Sequence, residues 1–227
     1  MNKIRFVIGT RKSKNDFFLK TATGKSISLY PLPHVELRLF SNNDDGLSTI
    51  YNIAIEESRN DPAILIFMHD DIHLLDYFWA DRIVDSLNKF DVVGLAGNKK
   101  RISKQPSWAF IDEKFTWDNR ENLSGVVGHG TSFPPSNVSV FGPCYQEVKL
   151  LDGLMVAVYS ETLIKNEIRF DEIFDFHFYD LDFCRQVEQK NLRMGTWPLS
   201  VIHESGGNFG SEDWKLGYQK YLKKWKD

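Results

Sequence analysis

Cysteine is scarce. Only Cys144 and Cys184 occur in 227 residues, and neither lies in a C-x-x-C pair. A disulfide framework is therefore not expected, and a reducing, cytoplasmic setting is the default. Positive charge is not in excess either. A net charge of −3 and a pI near 6.1 argue against general nucleic-acid binding, which needs a strongly basic face. No apolar run approaches the length of a membrane span, and Met1–Phe6 has no signal-type h-region. The H-E-x-x-H pattern and the P-loop lysine motif are missing, which lowers the standing of zinc-peptidase and P-loop chemistry. No internal repeat or linker marks a domain boundary. What the chain has is ordinary core content, 42% hydrophobic, and abundant aromatics at 14%, suited to a packed core or to carbohydrate contacts. The length suits one α/β domain.

The organising stretch is Ala63-Ile64-Leu65-Ile66-Phe67-Met68, followed at once by His69-Asp70-Asp71. Apolar residues without alternation read as a strand buried on both faces, usually a parallel strand under helices. Ligands in open α/β sheets bind at the carboxyl ends of such strands. An imidazole and two carboxylates beside a core are unfavourable unless a cation binds there. Strands are also expected at Ile4–Ile8, Val35–Phe40, Asp91–Ala96, Leu150–Tyr159 and Leu192–Ile202. Helices are expected after the Ser41–Gly46 turn, with Asp44 or Asp45 as cap, after Asp76, after Ser160, from Tyr179, and after Ser211. The order suggests a mostly parallel central sheet flanked by helices. Lys99–Lys149 is punctuated by glycine and proline and reads as a long functional loop.

A metal–diphosphate site wants hard oxygen ligands. Along a strand Asp70 and Asp71 point to opposite sides, so only one should face a metal; the other could reach sugar or ribose. His203, at a strand end before Ser205-Gly206-Gly207, could add a nitrogen ligand, which suits Mn²⁺ better than Mg²⁺. The plainer reading makes these aspartates turn or cap residues and His203 structural. Asp180 and Asp182 open a helix, where the dipole favours carboxylates, and either could serve as a general base. The last helix carries Trp214, Tyr218, Tyr221 and Trp225 on one stripe, with lysines between Lys215 and Lys226. The stripe suits packing on the domain; a peripheral contact with an anionic membrane is the alternative.

Taken together, Phe6–Arg11, Asn42–Asn52, His69-Asp70-Asp71, Leu151-Asp152-Gly153, Tyr179–Cys184 and His203 resemble the GT-A glycosyltransferases of family 2 type, particularly compact bacterial glycosyltransferase-like members. The resemblance runs nearly end to end and is weakest over Lys99–Lys149. It implies a single GT-A domain over residues 1–227, with about 1–98 binding the nucleotide-sugar and about 99–227 forming the acceptor side. It implies Asp71 and His203 as ligands of a divalent cation, Mn²⁺ or Mg²⁺. Thr10, Arg11, Asn43, Asp44, His69, Asp70 and Asp152 would contact the nucleotide-sugar. Asp180 would be the base, with Asp182 as its rival and Tyr179 where the family has glutamate. The implied activity is inverting transfer from a nucleotide-diphosphate sugar, UDP-linked, to a hydroxyl of a saccharide or lipid-linked saccharide, with polysaccharide assembly as its setting. A metal-dependent hydrolase or nucleotidyltransferase, and a non-catalytic nucleotide-sugar-binding module, stand as rivals.

Overall fold

The computed structural model describes residues 2–227. Its first half comprises β1 (Ile4–Gly9), α1 (Lys14–Lys20), α2 (Ala22–Ile27), β2 (Val35–Phe40), α3 (Leu47–Glu57), β3 (Ile64–Met68), β4 (Ile72–Leu74), α4 (Trp79–Leu87), β5 (Val92–Gly94) and β6 (Ala96–Asn98). The second half adds β7 (Leu123–His129), β8 (Asn137–Gly142), β9 (Glu147–Val148), β10 (Leu150–Leu151), β11 (Met155–Tyr159), α5 (Ser160–Lys165), α6 (Tyr179–Gln189), β12 (Met194–Thr196), β13 (Val201–His203) and α7 (Glu212–Trp225).

β3 is apolar throughout because both of its faces are covered. Phe67 meets Tyr51 of α3 at 4.7 Å and Phe170 at 5.0 Å between ring centroids. Phe6, paired with Ile66 across the sheet, meets Trp79 of α4 at 5.0 Å. The main sheet runs β2-β1-β3-β11-β5-β12-β9. β2, β1 and β3 are parallel, as are β5 and β12. β11 opposes both β3 and β5, and β9 opposes β12. The sheet is thus mixed where the sequence suggested a mostly parallel one. The chain enters β11 at the end where β5 leaves, with no helix between those two strands to carry it back.

A second sheet, β10-β6-β7-β13-β4 with β8 on β7, stands at the carboxyl end of the first. It accounts for the other departures. Asp91–Ala96 does not run on as one strand: it breaks at Leu95, β5 staying in the main sheet while β6 joins the second. Leu150–Tyr159 and Leu192–Ile202 divide between the sheets in the same way. Lys99–Lys149 is not one long loop, since it contains the β7–β8 hairpin and β9. Its glycines disguised it, and β8 turns Val138 and Val140 outward, which inverts the usual alternation.

Some caps also differ. α3 begins at Gly46 without a side-chain cap, so neither Asp44 nor Asp45 serves there. Ser160 Oγ accepts from the Ala63 N–H instead of capping α5. Ser211 does cap α7, accepting from the Trp214 N–H at 3.2 Å. Trp214, Tyr218 and Tyr221 of its stripe are buried against the domain.

Candidate active site

β3 delivers His69-Asp70-Asp71 as a tight turn into β4, and the turn is held from several sides. The His69 N–H donates to Leu154 O at 3.1 Å, which brings the Asp152-Gly153 loop against it. Thr23 of α2 holds the opposite side. Its N–H donates to Asp70 O at 3.1 Å, and its hydroxyl donates to His69 O at 2.7 Å and accepts from the Ile72 N–H at 3.1 Å. Thr10 donates its hydroxyl to the Asp70 carboxylate, turning that side chain toward β1. Asp71 points the other way, as strand alternation requires.

β13 pairs antiparallel with β4 so that His203 faces Ile72, which sets its ring beside Asp71. Nε2 of His203 lies 3.3 Å from Asp71 Oδ2. Ligand atoms of His69, Asp71 and His203 all lie within 4.8 Å of one another. Burial alone would raise the Asp71 carboxyl, but the His203 hydrogen bond and charge outweigh it and hold the group down to about 2. Burial lowers His203 in turn, yet Asp71 leaves it raised overall. The second oxygen, Asp71 Oδ1, is buried without a hydrogen-bond partner among the described residues. A carboxylate with one orphaned oxygen, grouped with two imidazoles, fits a divalent cation, and a mixed N/O donor set suits Mn²⁺.

α6 opens on the far side of the Asp152-Gly153 loop. Phe178, immediately before it, is left-handed at φ 67° and ψ 0°, an uncommon state for a bulky residue. Trp214, Tyr218 and Tyr221 of α7 hold its ring, with centroids at 5.3, 5.6 and 5.6 Å. Tyr179 then donates its hydroxyl to Gly153 O at 2.8 Å and stands 2.9 Å from His69 Nε2. With its own proton given to Gly153, the hydroxyl accepts from Nε2–H, leaving Nδ1 as the lone-pair nitrogen of His69. Asp180 Oδ2 accepts from the Gly153 N–H at 3.2 Å. Burial and the neighbouring Asp152 charge push the Asp180 carboxyl up to about 7. Asp152 is itself raised by burial. Only glycine fits at 153, since a Cβ there would stand 2.4 Å from the Tyr179 hydroxyl oxygen.

These groups line one cleft of about 690 Å³, a volume usual for ligand sites. His69, Asp70, Asp71, Asp152, Asp180 and His203 all border it. Asp182 does not. It is fully buried one turn along α6, where Lys224 Nζ (2.6 Å) and Trp225 Nε1 (2.9 Å) bind one oxygen and Gln186 binds the other. Its carboxylate joins α6 to α7 and cannot reach a substrate, a correction to its candidacy as base. Thr10 and Asn43 sit side by side at the ends of β1 and β2, the Asn43 N–H donating to Thr10 O at 2.9 Å. Arg11 and Asp44 are exposed beside them, off the cleft lining. Sequence reasoning passed over Thr23, Tyr179 as a link to His69, and His129. Only the tertiary contacts single them out.

A sequence model described as the glycosyltransferase-like family matches residues 35–213, well over half of the chain. The chain belongs to this glycosyltransferase-like family. Two solved structures share the fold of this glycosyltransferase. GalNAc-T7, solved with UDP, GalNAc and Mn²⁺, aligns at TM-score 0.55 and 11% identity over 98% of this chain and 48% of its own. TarS of S. aureus aligns at TM-score 0.50 and 12% identity over 97% of this chain and 40% of its own. The glycosyltransferase thus spans about half or less of either neighbour, and at such identity the likeness speaks for the GT-A fold alone. No curated protein is significantly similar to it in sequence. No helix among the described residues is long and apolar enough to cross a membrane.

Proposed function

We propose that the chain transfers a sugar from a nucleoside-diphosphate donor, UDP first among those to test, to an acceptor hydroxyl with inversion at the anomeric carbon. The observation that carries this reading is the placement of Asp180, a cleft carboxyl raised to about 7, across the Asp152-Gly153 loop from the His69–Asp71–His203 cluster. Such a pKa lets a carboxylate accept a hydroxyl proton near neutral pH. As the acceptor oxygen bonds to the anomeric carbon, the bond to the diphosphate oxygen breaks and the proton passes to Asp180. Asp152 faces the same space and suits hydroxyl groups of the donor sugar. Thr10 fixes Asp70 toward the nucleotide side, with Asn43, Arg11 and Asp44 bordering the base and ribose. A divalent cation held by His69, Asp71 and His203 would neutralise charge on the departing diphosphate. No covalent enzyme intermediate is required.

The test is thermal stability with UDP, GDP, CDP or ADP, each with and without Mn²⁺. A ligand at a hundred times its dissociation constant stabilises by about 2.7 kcal/mol, an easily read shift. One nucleotide should shift the wild type only with Mn²⁺, and Asp71→Ala should abolish that shift. Absence of any shift would refute the donor site. Release of UDP at equal rates with and without every acceptor tried would point to a hydrolase.

A further inference from the structure

One wall of the cleft has no part in the chemistry above. It comes from the irregular segment and the β7–β8 hairpin. Trp117 lies nearly parallel to Phe141, 5.9 Å between centroids with planes at 22°. Phe110 meets Trp117 edge-on at 5.0 Å, and buried Trp108 meets Phe141 edge-on at 4.9 Å. Trp117 nevertheless keeps 54% of its surface exposed, while bordering the same cleft as Asp180. A tryptophan backed by other rings but left open on one side is a platform rather than core.

The polar groups of this wall are as informative as its rings. β8 turns Ser139 and Phe141 to the cleft, and Val138 and Val140 away from it. His129 Nε2 lies 3.0 Å from Ser139 Oγ on that same face. His129 is also the register partner of His203, so the wall runs directly into the cluster site. Asp152 borders the same cleft and feels the charges of both histidines. An acyl chain would want a continuous apolar groove, which His129, Ser139 and Asp152 interrupt. A pyranose has one C–H face and a rim of hydroxyls, and that combination matches aromatic faces alternating with hydrogen-bonding groups.

We infer that the acceptor is a saccharide whose terminal ring stacks on Trp117, backed by Phe141, with the His129–Ser139 pair taking its hydroxyl rim. The inference rests on the transferase reading of the cleft but is tested apart from it. The probes are methyl α- and β-glycosides of common hexoses and N-acetylhexosamines, followed by saturation-transfer NMR on the full chain with UDP and Mn²⁺. At least one glycoside should bind through its ring C–H protons. Trp117→Ala should weaken it by about tenfold and Trp117→Phe by much less. Trp117 is exposed, so both variants should fold, and the Mn²⁺-dependent nucleotide shift should be unchanged in each. Glycoside binding indifferent to Trp117→Ala would overturn the platform. A wild type that binds nucleotide but none of the glycosides would overturn the saccharide acceptor and leave the donor site standing. Glycoside binding lost in Trp117→Ala, in a protein that binds no nucleotide, would keep the platform and remove the transferase reading.

Discussion

Replacing Asp180 by asparagine should disable the enzyme and stabilise the fold at the same time. The carboxyl is raised from 3.8 to about 7 chiefly because burial disfavours its charged form. Between those values the folded state holds a proton that the unfolded state has released, so stability falls as pH rises through this window and stays low above it. A shift of this size, from 3.8 to about 7, corresponds to about 4 kcal/mol by linkage. Asp180 is only half-buried and borders a solvent-filled cleft, so water screens part of that, and roughly 2 kcal/mol is the better expectation. Asparagine keeps an oxygen for the Gly153 N–H and carries no charge. The variant should therefore melt about 4–8 °C above wild type near pH 8. Less than half of that gain should remain near pH 4, where the folded wild type is neutral and the unfolded chain has begun to take up its proton. Transfer should fall by about 10²–10⁴-fold, and the wild-type rate should drop as pH falls below about 7. Calorimetric melts of both proteins at the two pH values, with initial-rate assays, measure all of this. An unstabilised variant at high pH, or equal gains at both, would refute desolvation as the source of the shift. An unimpaired rate would refute the role of base.

Other substitutions separate positioning from chemistry. Asp182→Ala strands Trp225 and Gln186 and leaves Lys224 with Asp171 alone, and should destabilise by about 2 kcal/mol in urea melts, with transfer per folded molecule retained. A loss of turnover without a loss of stability would return Asp182 to the reaction. Thr23→Val strands the Ile72 N–H and frees the His69 carbonyl, so about 1–3 kcal/mol should be lost. Mn²⁺-dependent nucleotide affinity should weaken roughly tenfold, as calorimetric titration would show, because the turn carrying the ligands loosens. Gly153→Ala drives a methyl into Tyr179 and Asp180 and should lower the transfer rate far more than nucleotide affinity; equal losses in both would place the damage on the donor side instead.

The sequence by itself determined the buried strand Ile64–Met68, because only cover on both faces explains an apolar run without alternation. It also determined that acidic and imidazole groups stand at that strand's end, and that α3, α6 and α7 begin close to where turn, cap and periodicity signals put them. These features are local and need nothing beyond neighbouring residues. The tertiary structure decided the rest. The second sheet was hidden because short strands that change sheets at Leu95, or between Thr196 and Val201, carry no periodicity of their own. The residue pattern left both Asp180 and Asp182 open as bases, and only the family resemblance favoured Asp180. Alternation around α6 sends one to the cleft and the other under α7, a choice made by Lys224 and Trp225 from more than 40 residues away. His203 meets Asp71 only because β13 pairs with β4 in one register. A sequence names the groups that can hold a charge or take a proton; which of them face the same cleft is settled by packing between distant segments.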